Sequence, residues 1–97
     1  MRHFFRTQLA PDDVMAEADA FFPTLPMIAS GKAARDRTFN GALGSVTLRV
    51  WPEGGHYTFV QADTDQMGES RLDRNVKKFF VRLHRRADPK HRLAAAY

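Results

Sequence analysis

Seven cations, Arg71, Arg74, Lys77, Lys78, Arg82, Arg85 and Arg86, fall within one sixteen-residue stretch, whereas residues 1–68 carry a net charge of −2 and residues 69–97 a net of +6. Their spacing puts them on one amphipathic helix, so the chain carries a localised basic surface suited to an anionic partner. The placement is unfavourable by itself. Arg74 with Lys78, Lys78 with Arg82 and Arg82 with Arg86 are like-charge pairs four apart, each destabilising by a few tenths of a kcal/mol, and only Asp73 with Lys77 offsets them in that register. An anion would relieve the repulsion, and RNA or the ribosome is the expected partner, through Arg74, Lys77, Lys78, Arg82 and Arg85. The competing reading is a solvated outer face whose last-turn cations are favoured by the helix dipole. An acidic protein or a membrane surface is a further partner class, the membrane being disfavoured because the apolar stripe of the same helix is needed for a core.

A second constellation lies on the strands. If Trp51 stands opposite His56, then Arg49, Trp51, His56 and Thr58 share one sheet face, and an aromatic ring beside a guanidinium can hold a base or another planar ligand. The alternatives are a dimer interface, or a face covered by residues 27–35. Other chemistry fails on inspection. Ser30-Gly31-Lys32 resembles the end of a phosphate-binding loop, but Pro26 stands where its first Gly belongs and Ala33 follows the Lys. Asp63, Asp65 and Gly68 echo a calcium loop, yet Met67 takes a ligand position and Arg74 that of the closing Glu. His3, His56, His84 and His91 lack metal-ligand spacing, and there is no cysteine to serve as nucleophile, disulfide partner or metal ligand. No catalytic residue, metal or cofactor is expected: the chain reads as a non-enzymatic binding module.

The elements that must position these residues follow from periodicity. His3 to Leu9 predicts a strand; Pro11, with Asp12 and Asp13 at the positive end of the dipole, starts a helix carrying Val14, Ala18, Phe21 and Phe22 at helical spacing, and Pro23 and Pro26 end it. Residues 27–35 show no period and read as a loop. Arg37–Phe39, Asn40-Gly41 and Leu43 onward predict a hairpin with a tight turn at Asn40-Gly41. Val46, Leu48 and Val50 alternate with Thr47, Arg49 and Trp51, and after Pro52-Glu53-Gly54-Gly55 the run His56–Ala62 alternates again, pairing Val50 with Tyr57 and Leu48 with Phe59 on the core face. Ser70 with Asp73 has capping-box spacing and opens the last helix, whose Leu72, Val76, Phe79, Phe80, Leu83 and Ala87 form one apolar stripe, with Pro89 closing it. The order βαβββα predicts a two-layer α+β fold, a four-stranded, mainly antiparallel sheet with both helices on one face. The predicted core is Phe21, Phe22, Leu48, Val50, Tyr57, Phe59, Leu72, Val76, Phe79, Phe80 and Leu83. The 97 residues suit a single domain over 1–97 with a flexible or weakly helical tail at 88–97. The polar start and the lack of cysteine or of a long apolar run make a cytoplasmic protein without a transmembrane segment the expectation.

Length, element order and the segment from Val46-Thr47-Leu48-Arg49-Val50 through Gly54-Gly55 to the helix beginning at Ser70 resemble the short ribosome hibernation factors over about half of the 97-residue chain. That resemblance implies a non-enzymatic protein seated on the small ribosomal subunit through Arg74, Lys77, Lys78, Arg82 and Arg85. The first helix departs from it, carrying Asp12, Asp13, Glu17 and Asp19 and no cation. The stretch Phe39 to Arg86 also resembles the closing hairpin and long last helix of the helix-grip family of lipid- and polyketide-binding proteins. This second resemblance implies a small apolar ligand between the helix stripe and the sheet, in a shortened version that closes its pocket as a homodimer through the open sheet face.

Overall fold

The computed structural model describes residues 1–88, and of Lys32 only the backbone. The elements are β1 (Arg2–Thr7), α1 (Pro11–Phe21), a 3₁₀ turn (Phe22–Thr24), β2 (Met27–Lys32), β3 (Asp36–Gly41), β4 (Gly44–Glu53), β5 (Tyr57–Thr64) and α2 (Arg71–Ala87). The five strands form one antiparallel sheet in the order β1-β5-β4-β3-β2, with α1 and α2 packed together on one of its faces. The fold is thus α+β with an open sheet of five strands, not four. The extra strand is β2, in the segment read as a loop: its register slips between Ala29 and Gly31, and this bulge breaks the alternation that would have marked it. The tail expected over 88–97 lies, from Pro89 on, outside the described residues. No helix among the described residues is long and apolar enough to cross a membrane.

Local chemistry accounts for the boundaries. Pro11 takes the first helical position of α1, with Asp12 and Asp13 in its first turn. Ser70 caps α2, its hydroxyl oxygen accepting from the Asp73 amide at 3.0 Å. The β3–β4 turn is Ala42-Leu43, two residues later than predicted; neither residue has a positive φ, so this is not the mirror-image turn expected at Asn40-Gly41. Asn40 is held in the strand by its side chain, whose amide nitrogen donates to the Ser30 hydroxyl at 2.7 Å and whose oxygen accepts from Ser45.

The β4–β5 hairpin is also reset. Its turn is Gly54-Gly55-His56, with Gly55 and His56 at positive φ, and Trp51 stands opposite Phe59 rather than His56. A slip of three is odd, so it reverses which face each β5 residue occupies. Val60 and Ala62, opposite Val50 and Leu48, are buried beneath the helices, while Tyr57 and Phe59, predicted as core, lie on the other face. Pro52 is tolerated inside β4 because it lies beyond Arg49, the last β4 residue paired with β3.

One core joins the layers. Val14, Met15 and Ala18 of α1, Phe22 of the 3₁₀ turn, and Leu72, Val76, Phe79, Phe80 and Leu83 of α2 pack on Met27, Phe39, Val46, Leu48, Val50, Val60 and Ala62. The predicted stripe of α2 is buried from Leu72 through Leu83, whereas Phe21 is only half-buried.

Candidate functional site

The outer side of α2 is where the predicted cations fall, but they divide into two sets. Arg82 Nε donates to Glu17 of α1, and Arg86 reaches Glu17 at 2.7 Å and Asp13 at 3.3 Å. Arg82 also lies over the Phe21 ring, 5.9 Å from its centroid. Burial alone would raise the Glu17 carboxyl, but the hydrogen bonds and charges of Arg82 and Arg86 outweigh it and hold the group below its usual range. Arg37 of β3 pairs with Asp19. The acidic helix therefore supplies the anions for this side of α2, pairings that join positions 65 and 69 residues apart. Arg82 is for this reason committed to a carboxylate.

The second set is exposed and lacks such partners. Arg71, Arg74, Lys78 and Arg85 lie on the solvent side, and none of the four contacts a carboxylate among the described residues. Arg74 instead directs its Nε and one terminal nitrogen at the Glu69 carbonyl, each at 3.2 Å, which steadies its guanidinium. Lys77 is half-buried between the two sets. Arg71 was not among the predicted contacts, although its spacing of three and seven from Arg74 and Lys78 marks the same face.

Among the described residues nothing covers the sheet face turned away from the helices, and it has a different character. Phe59 lies at its centre, with the Trp51 ring 4.8 Å and the Phe4 ring 5.3 Å from its own. The Arg6 guanidinium sits 5.1 Å above the Phe59 ring while Arg6 Nε donates to Glu53 at 2.9 Å. Asp63 accepts from Arg2 at 2.8 Å, Gln61 at 2.8 Å and Arg49 at 3.2 Å, and Arg49 also approaches Asp36 at 3.7 Å. Burial would raise the Asp63 carboxyl, but these donors lower it. Phe4, Trp51 and Tyr57 remain 54%, 39% and 43% exposed, an aromatic patch inside a frame of satisfied ion pairs.

Of the four residues predicted to share this face, only Arg49 and Trp51 do. Thr58 is buried on the helix side, opposite Pro52, because of the odd register slip, and His56 sits exposed in the hairpin turn. The signal that could have placed Phe4, Arg6 and Phe59 beside Trp51 was the alternation of β1, where Arg2, Phe4 and Arg6 all point outward.

A third cluster extends the predicted Ser70–Asp73 cap with two residues, His3 and Thr64, that the spacing did not mark. Asp73, fully buried on α2, accepts from His3 Nε2 at 2.8 Å and from the Thr64 hydroxyl at 2.8 Å on Oδ1, and from the Ser70 hydroxyl at 2.7 Å on Oδ2. Burial would raise this carboxyl; the His3, Ser70 and Thr64 hydrogen bonds and the His3 charge overcome it and hold it far below the usual carboxylate range. The donors converge on the carboxylate from β1, β5 and the helix cap, so the cluster ties α2 to the sheet. Among the described residues no group of three or more His, Cys, Asp or Glu side chains is placed to hold a metal ion. No protein-family model matches the chain, and no curated protein does either.

Proposed function

We propose that the protein is a non-enzymatic RNA-binding module that takes the phosphate backbone along the solvent side of α2, through Arg74, Lys77, Lys78 and Arg85, with the ribosome as the RNA-bearing partner that the hibernation-factor resemblance implies. One observation carries the reading: the chain has carboxylates to spare for Arg82 and Arg86, yet Arg71, Arg74, Lys78 and Arg85 stand exposed without one among the described residues. The acidic helix opposes it less than its composition implies, because three of its four carboxylates, Asp13, Glu17 and Asp19, are engaged with arginines of α2 and β3, leaving Asp12 exposed. The helix-grip alternative places an apolar ligand between stripe and sheet, where Leu72, Val76, Phe79 and Leu83 have no exposed surface. Reversing two cations, as in Arg74→Glu/Lys78→Glu, is expected to weaken RNA binding in every sequence context and to reduce the slope of log K against log salt by about one per lost contact. Titration at several salt concentrations, with co-sedimentation on ribosomes, measures this. Unchanged affinity in a folded variant, or a retained non-covalent ligand by native mass measurement with no RNA binding, would count against it.

The open sheet face favours a second partner, another copy of the chain. Its arginines are already neutralised by Asp36, Glu53 and Asp63, so it offers a polyanion little, whereas two such faces can appose their aromatic patches and exchange ion pairs about a twofold axis. Trp51→Glu is expected to weaken self-association by about 2 kcal/mol or more, some thirtyfold, as for a central aromatic anchor. Sedimentation equilibrium reads this directly, and a wild-type protein that stays monomeric at high concentration sinks it.

A further inference from the structure

Between the 3₁₀ turn, the β3–β4 turn and the first half of α2 lies a groove of about 510 Å³, open to solvent. Arg71, Arg74 and Lys78 form one wall with Asn75, and Leu25 and Leu43 contribute apolar surface opposite. No acidic side chain lines it among the described residues. Arg2, Arg6, Arg37, Arg49, Arg82 and Arg86 each hold a carboxylate, but the three cations of the groove hold none among the described residues.

Nor does the helix favour them there. Arg71 is the first residue of α2 and Arg74 follows within its opening turn, at the positive end of the dipole, and Arg71–Arg74 and Arg74–Lys78 repel at spacings of three and four. Two cations at the wrong end of a helix, joined by Lys78 one turn further on and lying beside apolar surface, match an amphiphilic anion. Over the seven residue steps from Arg71 to Lys78 the helix rises about 10 Å, so the long side chains can converge on one group. The charge argues for a phosphate monoester, which brings about −1.5 to −2 and three acceptor oxygens, over an internal phosphodiester with a single charge. Asn75 adds a reading element: its amide nitrogen donates to the Arg71 carbonyl at 2.7 Å, which leaves its Oδ1 to accept from a ligand amino group.

We infer that this groove binds a nucleotide bearing a terminal phosphate, the phosphate among Arg71, Arg74 and Lys78 and the base against Leu25, Leu43 and Asn75. The ligand is the 5′-terminal nucleotide of an RNA or a free mononucleotide, and the first source rests on the RNA reading above. The test measures, on the full chain at about 0.15 M salt, the affinity of one oligoribonucleotide with a 5′-phosphate and with a 5′-hydroxyl, and the binding of AMP, for wild type and Arg71→Gln. The 5′-phosphate is expected to tighten binding about tenfold, the size of one or two charge-assisted hydrogen bonds. Arg71→Gln should abolish that gain, leave the 5′-hydroxyl oligonucleotide within about threefold, and keep or raise Tm, since it removes a cation from the helix start. Binding of AMP that depends on Arg71, with neither oligonucleotide bound, would support the groove and overturn the RNA reading. Equal affinity for the two oligonucleotides with no AMP binding would overturn the groove and leave the RNA reading standing. A fall in Tm for Arg71→Gln together with lost binding, reproduced by Lys78→Gln, would show these cations to be structural and overturn the inference.

Discussion

Phe79→Ala is expected to lower the unfolding free energy by about 3 to 5 kcal/mol, as a large-to-small change at a site with no exposed surface. That is a large share of the 5 to 15 kcal/mol typical of a small domain. Phe79 is where the layers meet: its ring centroid lies 5.2 Å from Phe22, 5.7 Å from Phe21 and 6.2 Å from Phe80. Phe22 in turn stacks on Phe39 of β3 at 4.8 Å. Removing the ring therefore opens a cavity bordered by rings from α1, α2 and the 3₁₀ turn above the sheet. Phe59→Ala is a matched control on the other side of the sheet. Its ring is half-buried against Trp51, Phe4 and Arg6, so its loss should cost well under the Phe79 figure. Urea melts with comparable m-values decide both. A loss below about 1 kcal/mol for Phe79→Ala, or a larger loss for Phe59→Ala, would mean that the covered face has been assigned wrongly.

The contrast between those two residues shows which parts of the fold were readable. Helix α2 was legible because its apolar residues recur at steps of three and four over the whole element, and a period sampled so often survives local irregularity. Strand β5 was legible as a strand but not in its orientation. Tyr57 and Phe59 alternate with Thr58, Val60 and Ala62, and size alone assigns the aromatics to the interior. The interior above β5 is instead filled by rings from the helices, which leaves room for Val60 and Ala62 and sends the aromatics to the open face. Only the turn chemistry decides the parity, and Pro52-Glu53-Gly54-Gly55-His56 accommodates more than one turn position. The basic stripe was legible by spacing, but which of its members are occupied was not. Arg82 and Arg86 find Glu17 across most of the chain, a pairing that becomes visible only once α1 lies beside α2.

Asp73 carries the other large expected effect, and one whose sign depends on pH. Its spacing from Ser70 marks a helix cap, but the carboxylate turns inward and gathers His3, Thr64 and Ser70 instead of reaching back to the Ser70 amide as in a reciprocal capping box. Asp73→Ala should cost about 3 to 5 kcal/mol near neutrality, because it strands the Thr64 hydroxyl and the largely buried His3 ring without their shared acceptor. Asp73→Asn, which keeps one carbonyl oxygen for these donors, should lose less. In the folded protein the carboxyl titrates far below its ordinary value of 3.8, so the folded state holds the ionised form more tightly than the unfolded chain does. Its contribution is therefore fully present above about pH 5 and fades as pH falls through the ordinary value towards the folded pKa. The gap in stability between wild type and Asp73→Ala should narrow accordingly below about pH 4, while staying constant with respect to this carboxyl above about pH 5. Glu17 and Asp63, also held low, contribute to acid sensitivity in both proteins and cancel in the difference. Paired urea melts from pH 7 down to pH 2.5 measure that difference. A gap that does not change across the acid range would show that Asp73 is not held as a carboxylate by its three donors, and that its place in the fold rests on packing alone.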